Sequence, residues 1–288
     1  MSGRTGMLRL ASDEVELEVL PDAGARIHRF CAFGHDLLRT PRDQATHQAD
    51  PFFWGAYVMA PWANRIAAAP TPLGGFVVDV PANFPDGSAI HGEVLARPWE
   101  VVAPGRLRVA GGGGGWPWRY EVDEELALAG DTLRIRLRLT NRSEVPMPAG
   151  LGIHPWFRRP LLVAVPAAST YASNLEPLAR PVAVAGPLDR REPGQLPEGT
   201  DATWTDLAPG PVRLAWPELG VRAELRPGRT GTHVVAAAPS VPEATAVEVQ
   251  THAPDGLGRL VRGEPGALAL LDPGDALVLD VTVRVARD

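Results

Sequence analysis

The sequence predicts an all-β protein built as a large antiparallel β-sandwich, and three observations support this prediction. Apolar and charged residues alternate along many short segments, as they do in a strand with one face in water. No long window groups its apolar residues at the spacings of three and four that mark an amphipathic helix. The 30 glycines and 30 prolines cluster between the alternating runs, where they break strands and set turns. On the order of twenty short strands fit this pattern, which suits a large sandwich.

Three alternating segments predict individual strands, taken here in chain order. Residues 15–20 read VELEVL, residues 132–140 read TLRIRLRLT, and residues 276–285 read ALVLDVTVRV. The tripeptide Ala129-Gly130-Asp131 lies just before the second segment and predicts a β-hairpin turn. Composition does not shift along the chain and no internal repeat is visible. The sequence therefore predicts a single β-sandwich domain over residues 1–288.

The glycine run 111–115 is the one low-complexity patch. A phosphate-binding loop would continue into a lysine and a helix, but here Trp116-Pro117-Trp118 follows and no helical pattern comes next. The run therefore predicts a flexible loop between strands. The two tryptophans either wall a binding site or pack beneath the loop.

Charge and composition restrict the classes of partner and chemistry. The net charge is −6, and the arginines are scattered rather than concentrated on one segment, so nucleic acid is not expected as a partner. The 28 basic residues are all arginine. Schiff-base, Walker-type and pyridoxal chemistry all require a lysine, so these classes are excluded.

Cysteine usage and hydropathy predict a cytoplasmic protein. Cys31 is the only cysteine, so neither an intrachain disulfide nor a cysteine-rich metal site is expected. The start, Met1 to Met7, lacks the apolar core of a signal peptide. No apolar run approaches the roughly 18 residues that a membrane helix needs, so no membrane partner is expected. The sequence carries no signal for an oligomeric state.

Two of the seven histidines lie in distinctive settings. His91 lies in AIHG at 89–92, and His154 lies in GLGIHPWF at 150–157, where the following proline favours an extended backbone. A lone histidine in either setting is more often structural than functional. The H-x-E spacing at 91–93 would need a P-C-x-x-C partner to bind zinc, and no H-E-x-x-H pair exists. Neither a metal nor a cofactor is expected.

Two further segments carry charged residues that suit a binding or catalytic site. Arg65 lies in APWANRI at 60–66, where a guanidinium can fork toward oxygen acceptors or pair with a surface carboxylate. Glu248 interrupts an otherwise apolar strand, and strand alternation places it on one face with Ala246 and Gln250. A carboxylate there is either solvated and inert or a base whose pKa is raised by partial burial.

Taken together, four segments resemble the motifs of the aldose 1-epimerase (galactose mutarotase-like) family in its bacterial branch. In order they are MAPWANRI at 59–66, AIHG at 89–92, GLGIHPWF at 150–157 and VEVQTHAPD at 247–255. The N-terminal VELEVLPDAGARIHRFCAFGHDLLR and the C-terminal LLDPGDALVLDVTVRV resemble the family's first strands and its closing turn and strand. The resemblance implies the galactose mutarotase-like supersandwich and cofactor-independent interconversion of the α and β anomers of a pyranose.

Carried over position by position, the resemblance implies a role for six residues. Glu248 would be the general base and His154 the general acid. Arg65 and His91 would bind sugar oxygens, and Asn64 would support the arginine segment. Asp201 best matches the family's substrate-binding aspartate, with Asp206 as a competitor.

One departure from the family's pattern and one pair of neighbouring arginines keep other functions open. Pro155-Trp156-Phe157 follows the histidine where galactose mutarotases have a Ser/Thr-Tyr-Phe-like segment, so galactose is not implied. Arg158 and Arg159 are candidates for the phosphate of a hexose 6-phosphate, the substrate of a related epimerase. A non-catalytic sugar-binding protein of the same fold is the alternative from another class, although binding alone needs neither an acid nor a base.

Overall fold

The computed structural model describes residues 6–41, 43, 46–175 and 179–288. Of the N-terminal segment considered above for targeting, residues 1–5 lie outside these ranges. The described residues form 25 strands, two short α-helices and three 3-10 turns, at Pro21–Ala23, Gly186–Leu188 and Pro217–Leu219. The helices are α1 (Thr46–Ala49) and α2 (Gly256–Arg262). The prediction of an all-β fold is confirmed.

In chain order the strands are β1 (Leu8–Ala11), β2 (Val15–Leu20), β3 (Arg26–Ala32), β4 (His35–Asp36), β5 (Ala56–Met59), β6 (Arg65–Ile66), β7 (Thr71–Leu73), β8 (Phe76–Val78), β9 (Ala89–Ile90), β10 (Glu100–Ala103), β11 (Arg106–Gly111), β12 (Tyr120–Ala129), β13 (Thr132–Asn141), β14 (Met147–Ala149), β15 (Gly152–Arg158), β16 (Leu162–Ala164), β17 (Ala167–Tyr171), β18 (Val182–Ala183), β19 (Thr200–Leu207), β20 (Val212–Trp216), β21 (Val221–Pro227), β22 (His233–Ala238), β23 (Ala244–Gln250), β24 (Ala269–Leu271) and β25 (Ala276–Arg287).

Two large antiparallel sheets dominate the fold. The first has 11 strands in the order β1-β2-β3-β5-β15-β23-β22-β19-β17-β18, with β4 paired to β3. The second has 8 strands in the order β10-β11-β12-β13-β25-β21-β20-β16. Three small two-stranded sheets complete the described part, namely β14-β24, β6-β9 and β7-β8.

One hydrophobic cluster joins the two large sheets. Val19 and Val58 of the first sheet belong to the same cluster as Leu137 and Leu279 of the second. The exposed fraction of each of these four residues is 0%. Apolar residues on the inner faces are thereby removed from water, which is the dominant favourable contribution to folding. This shared core accounts for the alternation of apolar and charged residues along the strands.

The individual strand predictions are confirmed. β2 covers residues 15–20 as predicted, whereas β13 and β25 continue slightly beyond the predicted segments. β12 ends at Ala129 and β13 begins at Thr132, so Gly130 and Asp131 form the turn between them. Gly130 has a φ of 54°, a left-handed conformation that glycine adopts without a steric penalty.

The tryptophans after the glycine run pack in the core. Trp116 and Trp118 are 0% and 2% exposed, and the Trp116 ring lies 5.1 Å from the ring of Trp62. A Cβ on Gly112 would approach the carbonyl oxygen of Trp118 to 1.7 Å, so the chain at Gly112 lies directly against the backbone of Trp118. Of the two alternatives for the tryptophans, the structure shows packing beneath the loop.

The buried face of β12 carries a carboxyl group without a partner. Glu124 is 1% exposed, and neither of its carboxyl oxygens has a hydrogen-bond partner among the described residues. Burial raises the pKa of Glu124 from 4.5 to about 8. Glu124 therefore occupies a position that the strand alternation assigns to an apolar residue.

Strand register in the first sheet lines up a row of side chains across five strands. Tyr57 of β5 lies opposite His154 of β15, and Glu248 of β23 lies opposite Val235 of β22. Val235 in turn lies opposite Thr203 of β19. Residues opposite each other on neighbouring strands share a face of the sheet, so this row forms one continuous floor.

Candidate active site

A cavity of about 240 Å³ opens over this floor. Six residues selected from the sequence line it: Asn64, Arg65, His91, His154, Asp201 and Glu248. They come from segments that are far apart in the chain, and the antiparallel sheet brings them together. Within the described ranges, no three His, Cys, Asp or Glu side chains cluster in a way that could hold a metal ion.

His154 and Glu248 form a direct pair at the base of the cavity. Nε2 of His154 lies 3.1 Å from Oε1 of Glu248, and the side chains are only 4% and 3% exposed. The register explains the contact, because β15 and β23 pair on either side of these positions, at Ile153 with Val249 and at Trp156 with Ala246. An imidazole and a carboxyl at this distance can exchange a proton with each other and with a bound hydroxyl.

Three aromatic rings enclose the imidazole of His154. Tyr57 stacks on it at 4.6 Å between ring centroids, Trp156 is tilted against it at 5.0 Å, and His91 meets it edge-on at 4.9 Å. The Trp156 indole N–H and the Tyr57 hydroxyl both donate to the carbonyl oxygen of Phe52. These contacts fix the ring plane of His154 relative to Glu248.

Burial drives both members of the pair toward their uncharged forms. It lowers the pKa of His154 to about 3 and raises the pKa of Glu248 well above 4.5. The positive charges of Arg26 and Arg65 add to the lowering at His154. The two shifts therefore favour the neutral pair, in which the proton lies on Glu248, over the ion pair. Moving that proton across the 3.1 Å contact converts the neutral pair into an ion pair of the same total charge.

Arg65 is held between two carboxylates at the side of the cavity. Its Nε donates to Oδ2 of Asp86 at 2.7 Å, and its Nη1 lies 3.2 Å from Oδ2 of Asp201. Asp201 is fixed in turn by the side-chain amide of Asn174, which accepts a hydrogen bond from the Thr203 hydroxyl. Arg65 is the first residue of the short strand β6. A guanidinium held at two points presents its remaining N–H groups in a fixed direction.

Asn64 and His91 both adopt a left-handed backbone. Their φ angles are 54° and 62°, values that are uncommon for residues other than glycine and that cluster at functional sites. Oδ1 of Asn64 accepts a hydrogen bond from the backbone N–H of Arg65 at 2.7 Å, and the His91 N–H donates to the Asn64 carbonyl at 3.0 Å. The residues adjacent to them in the chain, Arg65 of β6 and Ile90 of β9, are paired in an antiparallel ladder. The two motifs are therefore one local structure that presents Arg65 beside His91.

The Arg65 segment is tied to the end of β23 by His252. Nε2 of His252 accepts a hydrogen bond from the Ala63 N–H at 3.0 Å, and its Nδ1 donates to the Ala253 carbonyl at 2.8 Å. The Asp255 N–H donates to the Arg65 carbonyl at 3.1 Å. His252 is 1% exposed, and burial lowers its pKa to about 4, which keeps Nε2 free to accept. The sequence analysis did not single out His252, although it lies within the fourth motif.

The structure separates Asp201 from Asp206. Asp201 lines the cavity and pairs with Arg65, whereas Asp206 is exposed near the other end of β19 and lines a different cavity. Arg158 and Arg159 also lie away from the site. Arg158 is exposed and donates to the Asp36 carbonyl, and Arg159 donates to Thr245 and to the Pro239 carbonyl beside a third cavity.

The sequence analysis missed most of the apolar walls and two polar contacts. Asp86 lies in the turn three residues before the AIHG motif, so its distance from that motif could have indicated a place near the site. Asn174 lies in none of the four motifs. Apolar and aromatic side chains make up most of the remaining lining: Phe52, Phe53, Phe84, Ile90, Trp156, Val235, Ala237, Pro239 and Val241. A concave site with aromatic walls and a few convergent polar groups is typical of small-molecule binding. None of the described helices is long and apolar enough to cross a membrane.

Comparison with known proteins adds a family and a fold. The model of a protein family described as aldose 1-epimerase matches residues 8–206, more than half of the chain. None of the curated proteins compared with the chain matched it.

Solved structures resemble this chain over almost its whole length. A galactose mutarotase-like protein from Clostridium acetobutylicum superposes with a TM-score of 0.85 at 16% identity, covering 97% of this chain and 95% of its own. An aldose epimerase homologue from C. elegans gives a TM-score of 0.83 at 17% identity, with coverages of 98% and 99%. A galactose 1-epimerase from Lactobacillus acidophilus gives 0.76 at 16%, with coverages of 97% and 93%. At these identities the likeness shows a shared fold.

Proposed function

This chain belongs to the aldose 1-epimerase family, and we propose that it interconverts the α and β anomers of an unphosphorylated pyranose by acid–base ring opening. The observation that carries the proposal is the buried contact between His154 and Glu248 at the base of a sugar-sized cavity. Ring opening must remove a proton from the anomeric hydroxyl O1 and deliver one to the ring oxygen O5. These two oxygens are bonded to the same carbon, so two neighbouring proton carriers suffice.

The proposed reaction begins from the ion-pair form of the two residues. Oε1 of Glu248 takes the proton of O1, the C1–O5 bond breaks with its electron pair moving to O5, and His154 Nε2–H protonates O5. The product is an open-chain aldehyde, which rotates about C1–C2 and closes on its other face by the reverse steps. The positive charge of Arg65 favours the ionised form of Glu248. Each proton transfer typically contributes about 10²–10⁴-fold to the rate.

Substrate binding is assigned to the polar side of the cavity. Arg65 and His91 are proposed to bind sugar oxygens, with Asp201 accepting from a hydroxyl and Asn64 supporting the Arg65 segment. Carboxylate and guanidinium groups form charge-assisted hydrogen bonds to hydroxyls. The aromatic walls provide apolar surface for the C–H groups of the ring.

The local charge favours a sugar without a phosphate. Among the described residues that line the cavity, Arg65 is the one arginine, and it already faces Asp86 and Asp201. A phosphate dianion would meet a site whose fixed cation is matched by two carboxylates, which is unfavourable. Arg158 and Arg159, the candidates for phosphate binding, do not line this cavity.

Polarimetry tests the proposal. Freshly dissolved α-anomers of hexoses, pentoses and hexose 6-phosphates are followed with the parent protein and with Glu248→Gln as a matched control. We expect accelerated mutarotation of at least one free sugar by the parent and little acceleration by the variant. If sugars bind without any acceleration, the chain is a non-catalytic sugar-binding protein, and if only phosphorylated sugars react, the substrate assignment is wrong.

A further inference from the structure

Gln250 makes a buried contact with Glu248 that the proposed reaction does not use directly. Gln250 ends β23 two residues after Glu248, is 0% exposed, and does not line the cavity. Its Nε2 donates to Oε2 of Glu248 at 2.7 Å. Its Cγ packs against β15, where a Cβ on Gly152 would come within 3.2 Å of it. The amide therefore has a fixed position behind the carboxyl group.

The contact distinguishes the two oxygens of Glu248. The amide NH₂ group donates and does not accept, so Oε2 must offer it a lone pair. When Glu248 is protonated, its proton must then lie on Oε1, which is the oxygen that faces His154 at 3.1 Å. The same hydrogen bond favours the ionised carboxylate and so opposes the effect of burial on Glu248.

We propose that Gln250 is a positioning residue, which directs the transferable proton of Glu248 to Oε1 and keeps that oxygen aimed at the substrate and His154. This inference rests on the proposed function. Gln250 forms and breaks no bond in the reaction: the proton passes from O1 to Oε1, another passes from His154 to O5, and the amide stays bound to Oε2 throughout.

Two substitutions of similar size test this role. Gln250→Met keeps the volume and removes the donor, and Gln250→Glu replaces the donor with a second carboxyl group. We expect kcat to fall about tenfold in Gln250→Met, the loss typical of a hydrogen bond to a charged group, and further in Gln250→Glu. KM should change by no more than about twofold, because Gln250 does not line the cavity. The alkaline limb of the pH profile should lie at higher pH in Gln250→Met than in the parent, and at higher pH still in Gln250→Glu.

Thr245→Val is the matched control. Thr245 lies on the same strand and is buried, but its hydroxyl accepts from Arg159 away from the cavity. This variant loses one partly buried hydrogen bond of β23 and should keep the parental pH profile. If the role of Gln250 were purely structural, Gln250→Met and Gln250→Glu would lower the melting temperature and leave the alkaline limb of the pH profile in place.

Infrared titration of the Glu248 carboxyl band measures the effect of Gln250 on Glu248 without turnover. The band is taken as the difference between the spectrum of each protein and that of its Glu248→Gln form. A higher titration midpoint in Gln250→Met than in the parent supports the inference. An unchanged midpoint, or a fall in kcat explained wholly by KM, overturns it. If the parent accelerates no sugar, the proposed function fails, and the infrared midpoints still decide whether Gln250 controls Glu248.

Discussion

The phenol ring of Tyr57 stacks on the imidazole of His154, with 23° between the ring planes. The guanidinium of Arg26 lies over the same phenol ring, 4.6 Å from its centroid, and is itself bound by the backbone carbonyls of Pro51, Trp54 and Leu95. A buried cation thus lies behind the stacked rings. Tyr57 holds the imidazole in plane, and the burial around it together with the Arg26 charge disfavours the imidazolium. The predictions below follow from this arrangement and from the residues around it.

Glu248→Gln and His154→Asn should each lower kcat by at least about a hundredfold, because each removes one of the two proton carriers and leaves the cavity shape intact. Polarimetry gives kcat, and calorimetric titration with a 1,5-anhydro sugar, which lacks O1 and cannot open, gives binding. Binding should persist in both variants. A variant that keeps near-parental kcat would reject the role of the residue it replaces.

The pH profile of kcat should be broad. Ordinary pKa values of 4.5 and 6.5 would confine activity to a window between them. Burial widens this window on both sides, since it lowers the pKa of His154 to about 3 and raises the pKa of Glu248. Activity is lost at acid pH when the pair gains a second proton and at alkaline pH when it loses its transferable one, and both limbs belong to the pair. A narrow bell between the ordinary values would contradict this.

Arg65→Ala should lower kcat/KM by an amount equivalent to about 1.5–3 kcal/mol, the usual cost of losing a charged hydrogen bond. Asp86→Asn should have a smaller effect, mainly on KM, because it weakens only the hold on Arg65 Nε. Steady-state polarimetry measures both. Arg158→Ala, an exposed arginine outside the cavity, is the control and should behave like the parent.

The buried carboxyl of Glu124 should make stability depend on pH. Its folded pKa of about 8 exceeds the ordinary 4.5, so the folded chain holds a proton that the unfolded chain releases. The stabilising contribution is fully present below 4.5 and is lost as the pH rises through about 8. Glu124→Gln should remove this slope from the melting temperature measured by calorimetry. Glu125→Gln, an exposed neighbour on the same strand, should leave the slope unchanged.

The two large sheets are expected to unfold as one unit, since one hydrophobic cluster contains residues of both. Scanning calorimetry should show a single transition, and limited proteolysis should not release a half that melts independently. Two separate transitions would argue for two domains.

Sequence patterns within a single segment predicted the strands and motifs that depend mainly on the residues of that segment. The strict alternation of VELEVL predicted β2 with its bounds, and the four motifs identified the segments that carry Arg65, His91, His154 and Glu248. The choice of Asp201 over Asp206 agrees with the cavity lining, and strand alternation supports it, because Asp201 shares a face with Thr203.

Other features depend on contacts between distant segments and leave no local trace. Asn174 reaches the site only because β17 and β19 pair, so no spacing around it could indicate that it fixes Asp201. The role of His252 depends on an N–H group 189 positions earlier in the chain. Glu124 falls in a run of acidic residues that reads as a solvated face, and only the packed sheets show that its side chain is buried.

The cation beside the cavity is a guanidinium, and this matters for an enzyme that would repeatedly generate an aldehyde. An open-chain aldose condenses with a primary amine and, after rearrangement, glycates the protein that holds it. A guanidinium is a poor nucleophile toward such an aldehyde, and the chain contains no lysine. No side chain of this protein is therefore a primary amine that an open-chain aldose formed in the proposed reaction could modify.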